Sequence, residues 1–333
     1  MTRTAAGPLR IGVLGCADIA RRRMLPSLAH QPLVRLAAVA GRDGARAARF
    51  AAEFGCAAVT GYEALLARDD IDAVYLPLPP DLHVEWSVRA LEAGKHVLCE
   101  KPFAPDADQA LAAVRVARER RLLLMESFMF LHHGQHEAVR RLVDTGAIGE
   151  LRMFTAEFGV PRLASGATAG TLPEVAAYPV RAAQLFLGDE DGEDGELDVL
   201  GARSDDTGGA ALLCSRQGVT AQLAYGTGHA YRNHYALWGS EGRLSLHRVY
   251  STPDDHVPVI RLERGGGEEL LSLPPDRQFT NVAGVFARAV VEGADFEPYA
   301  AAILRQAGLL DRISARANAS RLFDQADDVG GTR

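Results

Sequence analysis

Along the first third of the chain, short runs of consecutive apolar residues alternate with segments in which apolar residues recur every three or four positions. The runs at 9–14, 34–40, 72–76, 97–99 and 122–125 read as strands. Between them, 19–29, 46–54 (closed by Gly55), 82–93 (closed by Gly94) and 107–120 carry the helical period. Near-continuously apolar strands separated by helices predict a parallel sheet covered on both faces. Such a sheet takes its ligand in the crevice outside the carboxyl ends of its strands.

After Glu126 the pattern changes. Residues 137–145 form a short amphipathic helix stopped by Gly146, and from 151 onward the chain is mostly strand-like. Strands are expected at 151–158 and 197–203. Three hairpins follow: 210–215 with 219–225 across Arg216-Gln217-Gly218, 235–238 with 243–247 at Ser240-Glu241-Gly242, and 257–262 with 269–273 around Gly265-Gly266-Gly267. Val219, Ala221, Leu223 and Tyr225 alternate with polar neighbours, so one face of that sheet is covered. Phe279, Val282, Phe286 and Val290 mark a helix, as does 303–317; 324–333 reads as a frayed tail and 189–196 as an acidic surface loop. The expected division is α/β: a Rossmann dinucleotide-binding domain over 1–127 and an α+β domain over 128–333 with a large open, mostly antiparallel sheet.

Composition narrows the class. A chain of 333 residues with 47% hydrophobic and 24% charged residues is a globular protein with room for two domains. A net charge of -7 without a basic block argues against nucleic acid as a partner. No apolar run reaches membrane-spanning length, and residues 1–8 are polar with no apolar stretch behind them, so no secretory signal is expected. Cys16, Cys56, Cys99 and Cys214 lack metal-ligand spacing and read as reduced thiols of a cytoplasmic protein.

The chemistry gathers at strand ends. After the first strand, Gly15, Ala17 and Ala20 occupy the glycine positions of a dinucleotide fingerprint, so the turn Gly15-Cys16-Ala17-Asp18-Ile19 is the candidate pyrophosphate site. The second strand ends in Gly41-Arg42, where an NAD enzyme places an acid. Arg42 there favours the 2'-phosphate of NADP; the other reading is that Asp43 caps the next helix and Arg42 is merely exposed. Pro77 and Leu78 begin a proline-rich loop over the cofactor crevice. His83 either touches the ligand or packs against that loop. The centre is Val97-Leu98-Cys99-Glu100-Lys101-Pro102, a buried strand ending in a charged pair that Pro102 terminates. A lysine there polarises or protonates a bound oxygen, or forms an ion pair on a loop. His132, His133 and His136 include an i, i+4 pair, but no nearby Cys or carboxylate completes a site, so no metal is assigned and sugar contact or packing is expected instead.

These residues, with Leu82-His83, Ala93-Gly94-Lys95-His96-Val97, Met125-Glu126-Ser127-Phe128-Met129-Phe130, Gly146-Ala147-Ile148-Gly149-Glu150, His229-Ala230-Tyr231-Arg232-Asn233 and Gly239-Ser240-Glu241-Gly242-Arg243-Leu244, resemble the glucose–fructose oxidoreductase / inositol dehydrogenase / MocA family over nearly the whole chain. The Cys-Ala-Asp-Ile-Ala turn and the Phe-Met-Phe-Leu-His-His stretch are most similar to NADPH-dependent nucleotide-sugar C3 ketoreductases of deoxysugar biosynthesis for antibiotics. The resemblance implies a homodimer or homotetramer through the second domain's sheet. It also implies a keto-sugar on a dTDP carrier as substrate, and a helix placing an acid and a tyrosine beside the nicotinamide. Here that segment reads Ala169-Gly170-Thr171-Leu172-Pro173-Glu174-Val175-Ala176-Ala177-Tyr178-Pro179, with Glu174 where the family has Asp and Ala176 where it has Gly. Glu174 and Tyr178 are four residues apart, one helix face. Lys101 and Tyr178 are the expected catalytic pair, either being the proton donor, with Glu100, Glu174 and His132 orienting them or the sugar. A sugar or inositol dehydrogenase using NAD, and a cofactor-binding relative without catalysis, remain the alternatives.

Overall fold

A computed structural model of the chain describes residues 7–161, 172–188 and 196–330. It divides into two compact units, 1–132 with 277–304, and 133–276 with 305–333. Residues 162–171, in the loop ahead of the Tyr178 helix, and 189–195 of the acidic loop lie outside the described residues.

In the first unit, β1 (Leu9–Leu14), β2 (Val34–Gly41), β3 (Ala57–Thr60), β4 (Ala73–Leu76), β5 (His96–Glu100) and β6 (Leu124–Ser127) form a parallel sheet in the order β3-β2-β1-β4-β5-β6. The order reverses between β1 and β4, which is where an open α/β sheet opens its ligand crevice. Val13, Leu14, Val74, Tyr75, Leu76, Leu98 and Cys99 are wholly buried, as strands covered on both faces require. The crossovers carry α1 (Leu25–Ala29), α2 (Gly44–Phe54), α3 (Tyr62–Leu66), α4 (His83–Glu92) and α5 (Ala107–Arg120). Gly55 ends α2 with φ of 66°.

Two differences from the sequence reading have local causes. The helix expected at 19–29 splits into a widened i→i+5 turn over Ala20–Met24 and the short α1. Pro26 lacks the N–H a continuous α-helix would use, and the wider turn ahead of it absorbs the gap. β3 and α3 escape the hydrophobic pattern because β3 has four residues, alternately half-buried and exposed, at the sheet's edge.

The helix α8 (Gln278–Glu292) buries Phe279, Val282 and Phe286 and packs against α1 and the single turn at Met129–His132. Residues 277–304 thus return to the first unit, and along the chain the first crossing between units falls at 132/133 rather than 127/128. The last helix, α9 (Glu297–Gly330), runs to 330, into the segment expected to fray.

The second unit begins with α6 (Gly134–Asp144) and contains an eight-stranded sheet. Its strands are β7 (Leu151–Val160), β8 (Asp198–Ser204), β9 (Gly208–Cys214), β10 (Thr220–Thr227), β11 (Arg232–Gly239), β12 (Gly242–His247), β13 (Val259–Arg264) and β14 (Gly267–Ser272). The order is β14-β13-β12-β11-β7-β10-β9-β8, with only β7 and β10 parallel. All three expected hairpins form; Gly265 and Gly266 make the last turn with φ of 57° and 77°, values that favour glycine. The helix α7 (Ala177–Leu187) covers one face, where Phe154, Ala156 and Phe158 are buried.

Candidate active site

The chain leaves β1 at Gly15, whose φ of 118° suits only glycine. A Cβ there would also lie 2.8 Å from Leu78 Cδ2, so glycine lets the Leu78 loop close onto the turn. The Gly15 N–H donates to the Ala40 carbonyl at 2.9 Å, locking the turn to β2. Ala20 is fully buried, as close packing of helix on strand demands. Asp18 and Ile19 are exposed, Ala17 is half-buried, and the Asp18 carboxylate pairs with Arg22. Pro77 and Leu78 are both buried beside this turn.

At the end of β2, Gly41 lies against Cys16: a Cβ at Gly41 would sit 3.2 Å from the Cys16 Sγ. Asp43 caps α2, its carboxylate accepting from the Ala45 N–H at 2.8 Å and the Arg46 N–H at 3.3 Å, so the capping reading is correct. Arg42 is nevertheless exposed at the strand end, next to the Tyr62 phenol. Burial pushes that phenol up, and the Arg42 charge opposes the shift. Arg46, which the sequence reading did not single out, donates from Nη2 to the Cys16 carbonyl at 2.6 Å. Its signal was available: it stands in the first turn of the helix that Asp43 caps, just after the strand end. Two guanidinium groups therefore flank the strand end where an acid would mark NAD.

The ends of β4 and β5 hold a denser polar network. The Tyr75 hydroxyl donates to Glu100 Oε1 at 2.7 Å. Burial pushes the Glu100 carboxyl up from its ordinary range, while the Tyr75 bond and the Lys101 charge pull it back. Glu126, on β6, accepts the Phe103 N–H at 2.8 Å, bracing the chain just after Lys101-Pro102, whose peptide bond is cis. Lys101 itself is half-buried. Tyr75 and Glu126 were missed as functional residues because each sits in an apolar run that reads as sheet interior; the hydroxyl or carboxylate in such a run was the signal.

His83 packs against the loop, the second of the two expectations from sequence. It is 1% exposed, with Nδ1 2.8 Å from the Pro102 carbonyl and Nε2 2.7 Å from the Leu78 carbonyl. Both ring nitrogens are engaged inside the protein, and burial lowers the imidazole pKa. It ties the loop after β4 to the corner after β5.

In the second unit, Tyr178 is 6% exposed at the start of α7. Its ring centroid lies 4.8 Å from that of Phe158 and 5.6 Å from that of Tyr250. Glu174 is half-buried in a widened turn, Leu172–Ala176, that runs directly into α7. Pro179 lacks an N–H, and the widened turn immediately before it accommodates that gap. Tyr178 and Glu174 thus share one helical segment. Among the histidines, His132 belongs to the first unit, is half-buried, and its carbonyl accepts from Asn281 Nδ2 at 2.8 Å. His133 caps α6 by accepting the Gln135 N–H at 3.1 Å. His136 places Nδ1 2.9 Å from the Tyr235 hydroxyl and Nε2 3.1 Å from the Val249 carbonyl. Both are packing groups, and no described cluster of three His, Cys, Asp or Glu is placed to hold a metal.

Comparison with known proteins follows the same division. Residues 9–128 match the Gfo/Idh/MocA oxidoreductase family with its NAD-binding Rossmann fold, and residues 136–245 match the GFO/IDH/MocA C-terminal domain. Two proteins named dTDP-3,4-didehydro-2,6-dideoxy-alpha-D-glucose 3-reductase are similar to this chain. That from Actinomadura kijaniata is 48% identical over 92% of this chain and 95% of its own. That from Saccharopolyspora spinosa is 45% identical over 92% of this chain and 96% of its own. A solved structure of KijD10, a 3-ketoreductase from Actinomadura kijaniata in complex with TDP-benzene and NADP, superposes with a TM-score of 0.86 at 48% identity, covering 93% of this chain and 98% of that one. An aldose-aldose oxidoreductase from Caulobacter crescentus shares the fold at 21% identity with a TM-score of 0.85, covering 94% of this chain and 98% of its own. A chain matched in both halves by one family and this similar along nearly its whole length to that family's 3-reductases belongs to the Gfo/Idh/MocA oxidoreductases.

Proposed function

We propose that the protein reduces the C3 keto group of a dTDP-linked keto-deoxysugar with NADPH, in deoxysugar biosynthesis for an antibiotic. The observation that carries this is the 45–48% identity to four 3-reductases of that substrate over 92–93% of the chain. The site geometry agrees with it. The residues fit NADPH: the Gly15 turn leaves a cradle that a side chain would fill, and Arg42 and Arg46 stand where a 2'-phosphate needs cations and an acid would repel it. The same strand end argues against an NAD-dependent dehydrogenase.

When bound, NADPH supplies the hydride; the protein supplies position and charge. The turn from Gly15, through the backbone N–H groups of Cys16 to Ile19, would hold the pyrophosphate, Pro77 and Leu78 would wall the crevice, and Arg42 would take the 2'-phosphate. Lys101 meets the negative charge that develops on the sugar oxygen and delivers a proton to it. Glu100, fixed by Tyr75, keeps that ammonium charged and aimed. In the second unit Tyr178 is the other candidate proton donor, its ring held by Phe158 and Tyr250 and Glu174 on the same helical segment, while His132 of the first unit is a candidate sugar contact. The braced Lys101 corner argues against a relative that has lost catalysis.

The chain self-associates through the uncovered face of the eight-stranded sheet, as a homodimer or homotetramer. On that face, Trp238 is 58% and Leu212 38% exposed around a shallow depression of about 710 Å³ that Leu212, Thr155, Glu157 and Arg243 help to line. Among the described residues no helix is long and apolar enough to cross a membrane. The four free cysteines fit a reducing compartment, the cytoplasm.

The direct test incubates the protein with NADPH and dTDP-3,4-didehydro-2,6-dideoxyglucose, following cofactor oxidation and the product's C3 by NMR. Cofactor oxidation with a new hydroxyl at C3 is expected. Reduction at C4, or turnover of free aldoses in preference to the nucleotide sugar, overturns the assignment.

A further inference from the structure

One polar side chain lies behind Lys101, on the strand next to the one that ends there. Tyr75 is wholly buried in β4, between β1 and β5, in a run that is otherwise Ala73, Val74 and Leu76. An aliphatic residue would fill that place without needing a partner for a hydroxyl. The hydroxyl instead reaches across to the adjacent strand's end and donates to Glu100 Oε1 at 2.7 Å, within the range of a bond to an ionised carboxylate.

We propose that Tyr75 is a positioning residue for the reduction: its phenol holds the Glu100 carboxylate ionised and turned, so that Lys101 keeps a fixed counter-ion beside it. The inference rests on the reading of Lys101 as the group that protonates the sugar oxygen. Burial favours the neutral carboxylic acid at Glu100, and the Tyr75 bond is the foremost influence opposing it, followed by the Lys101 charge. The Lys101 backbone N–H and the Ser127 hydroxyl act on Glu100 in the same direction, but less strongly than the phenol. Burial keeps the Cys99 thiol and the His83 imidazole neutral, and Glu126 on β6 accepts from the Phe103 N–H. Without the phenol, Glu100 takes up a proton at higher pH, and the neutral acid neither holds nor aims an ammonium.

The test is Tyr75→Phe, which removes one oxygen and leaves the packed ring. With NADPH and the dTDP-linked keto-sugar, kcat should fall about tenfold at neutral pH, the usual worth of a hydrogen bond to a charged group. The acid limb of the kcat profile should move up by about one pH unit. The dissociation constant for NADPH, read by fluorescence, should stay within about twofold, because it reports on β1 and β2. Glu100→Gln, whose side chain does not ionise, should erase the acid limb, and adding Tyr75→Phe to it should cost almost nothing more. An unshifted profile in Tyr75→Phe, or full additivity of the two changes, overturns the proposal and leaves Tyr75 a packing residue. Should Tyr75→Phe not fold, an acid limb that persists in Glu100→Gln overturns it equally. Failure of the underlying reading looks different: Lys101→Ala would then retain turnover, whatever Tyr75 does.

Discussion

The two groups expected to face the sugar oxygen are held by opposite means. Lys101 ends a strand whose surroundings are cross-linked by hydrogen bonds: Tyr75 to Glu100, His83 to the Leu78 and Pro102 carbonyls, and the Phe103 N–H to Glu126. Tyr178 starts a helix and is held by ring contacts to Phe158 and Tyr250. The difference follows from chemistry. A flexible ammonium on a four-carbon stem has no shape to wedge, so it needs fixed charges and fixed backbone around it. A phenol is a rigid plate with one polar tip, and apolar walls orient it at little entropic cost.

If that contrast is right, the largest effect comes from removing the charged group. Lys101→Ala should lower kcat about a thousandfold while NADPH binding persists, since general acid catalysis and charge stabilisation vanish together. Steady-state kinetics with the keto-sugar check this; turnover within a few-fold of wild type would make the lysine a surface group. Tyr178→Phe keeps the plate and removes the tip, so its loss should be smaller, roughly tenfold to a hundredfold in kcat. A Tyr178→Phe enzyme more impaired than Lys101→Ala would invert the comparison and make the phenol the donor. If only KM rises, Tyr178 binds without donating.

Arg42 supplies a third case, exposed and held by neither device. Arg42→Ala should weaken NADPH about tenfold and leave NADH nearly unchanged, the worth of one charge-assisted contact to phosphate. Equal losses for both cofactors, measured by fluorescence titration, would transfer the discrimination to Arg46. The smallest effect concerns stability and pH. Burial lowers His96 in the first unit and His234 in the second to about 4, whereas an unfolded histidine titrates near about 6.5. Between those values the unfolded chain binds more protons than the folded one, so stability should be full above about 6.5 and decline as pH falls toward about 4. His96→Gln should flatten part of that decline in thermal melts. An unchanged slope would mean that His96 titrates alike in both states.

Much of the fold was legible because its strands repeat a simple period. The parallel strands of the first unit, the three hairpins and their turns, and the caps at Asp43 and Gly55 all follow from local rules that act within a few residues. The candidate chemistry at Gly15, Gly41-Arg42 and Lys101 was legible for a related reason: strand ends are where such sheets bind ligand, and residue type at a strand end is read directly. Failures lay where pattern was too short or partners too distant. β3 has too few residues to show a period, and the widened turns at Ala20–Met24 and Leu172–Ala176 answer to prolines whose effect depends on the helix around them.

What the sequence by itself determined, then, is the set of elements and the reactive residues at their ends, since both depend on local stereochemistry and residue type. Only the tertiary structure decided which buried polar groups serve those residues. It made His83 a tie between Leu78 and Pro102, because both of its nitrogens found carbonyls 5 and 19 residues away. It brought Tyr75 to Glu100 across 25 residues and Phe103 to Glu126 across 23. It also returned residues 277–304 to the first unit. Hydrogen-bond partners and burial are properties of strands laid side by side, and no period along a single chain encodes which neighbour a side chain will meet.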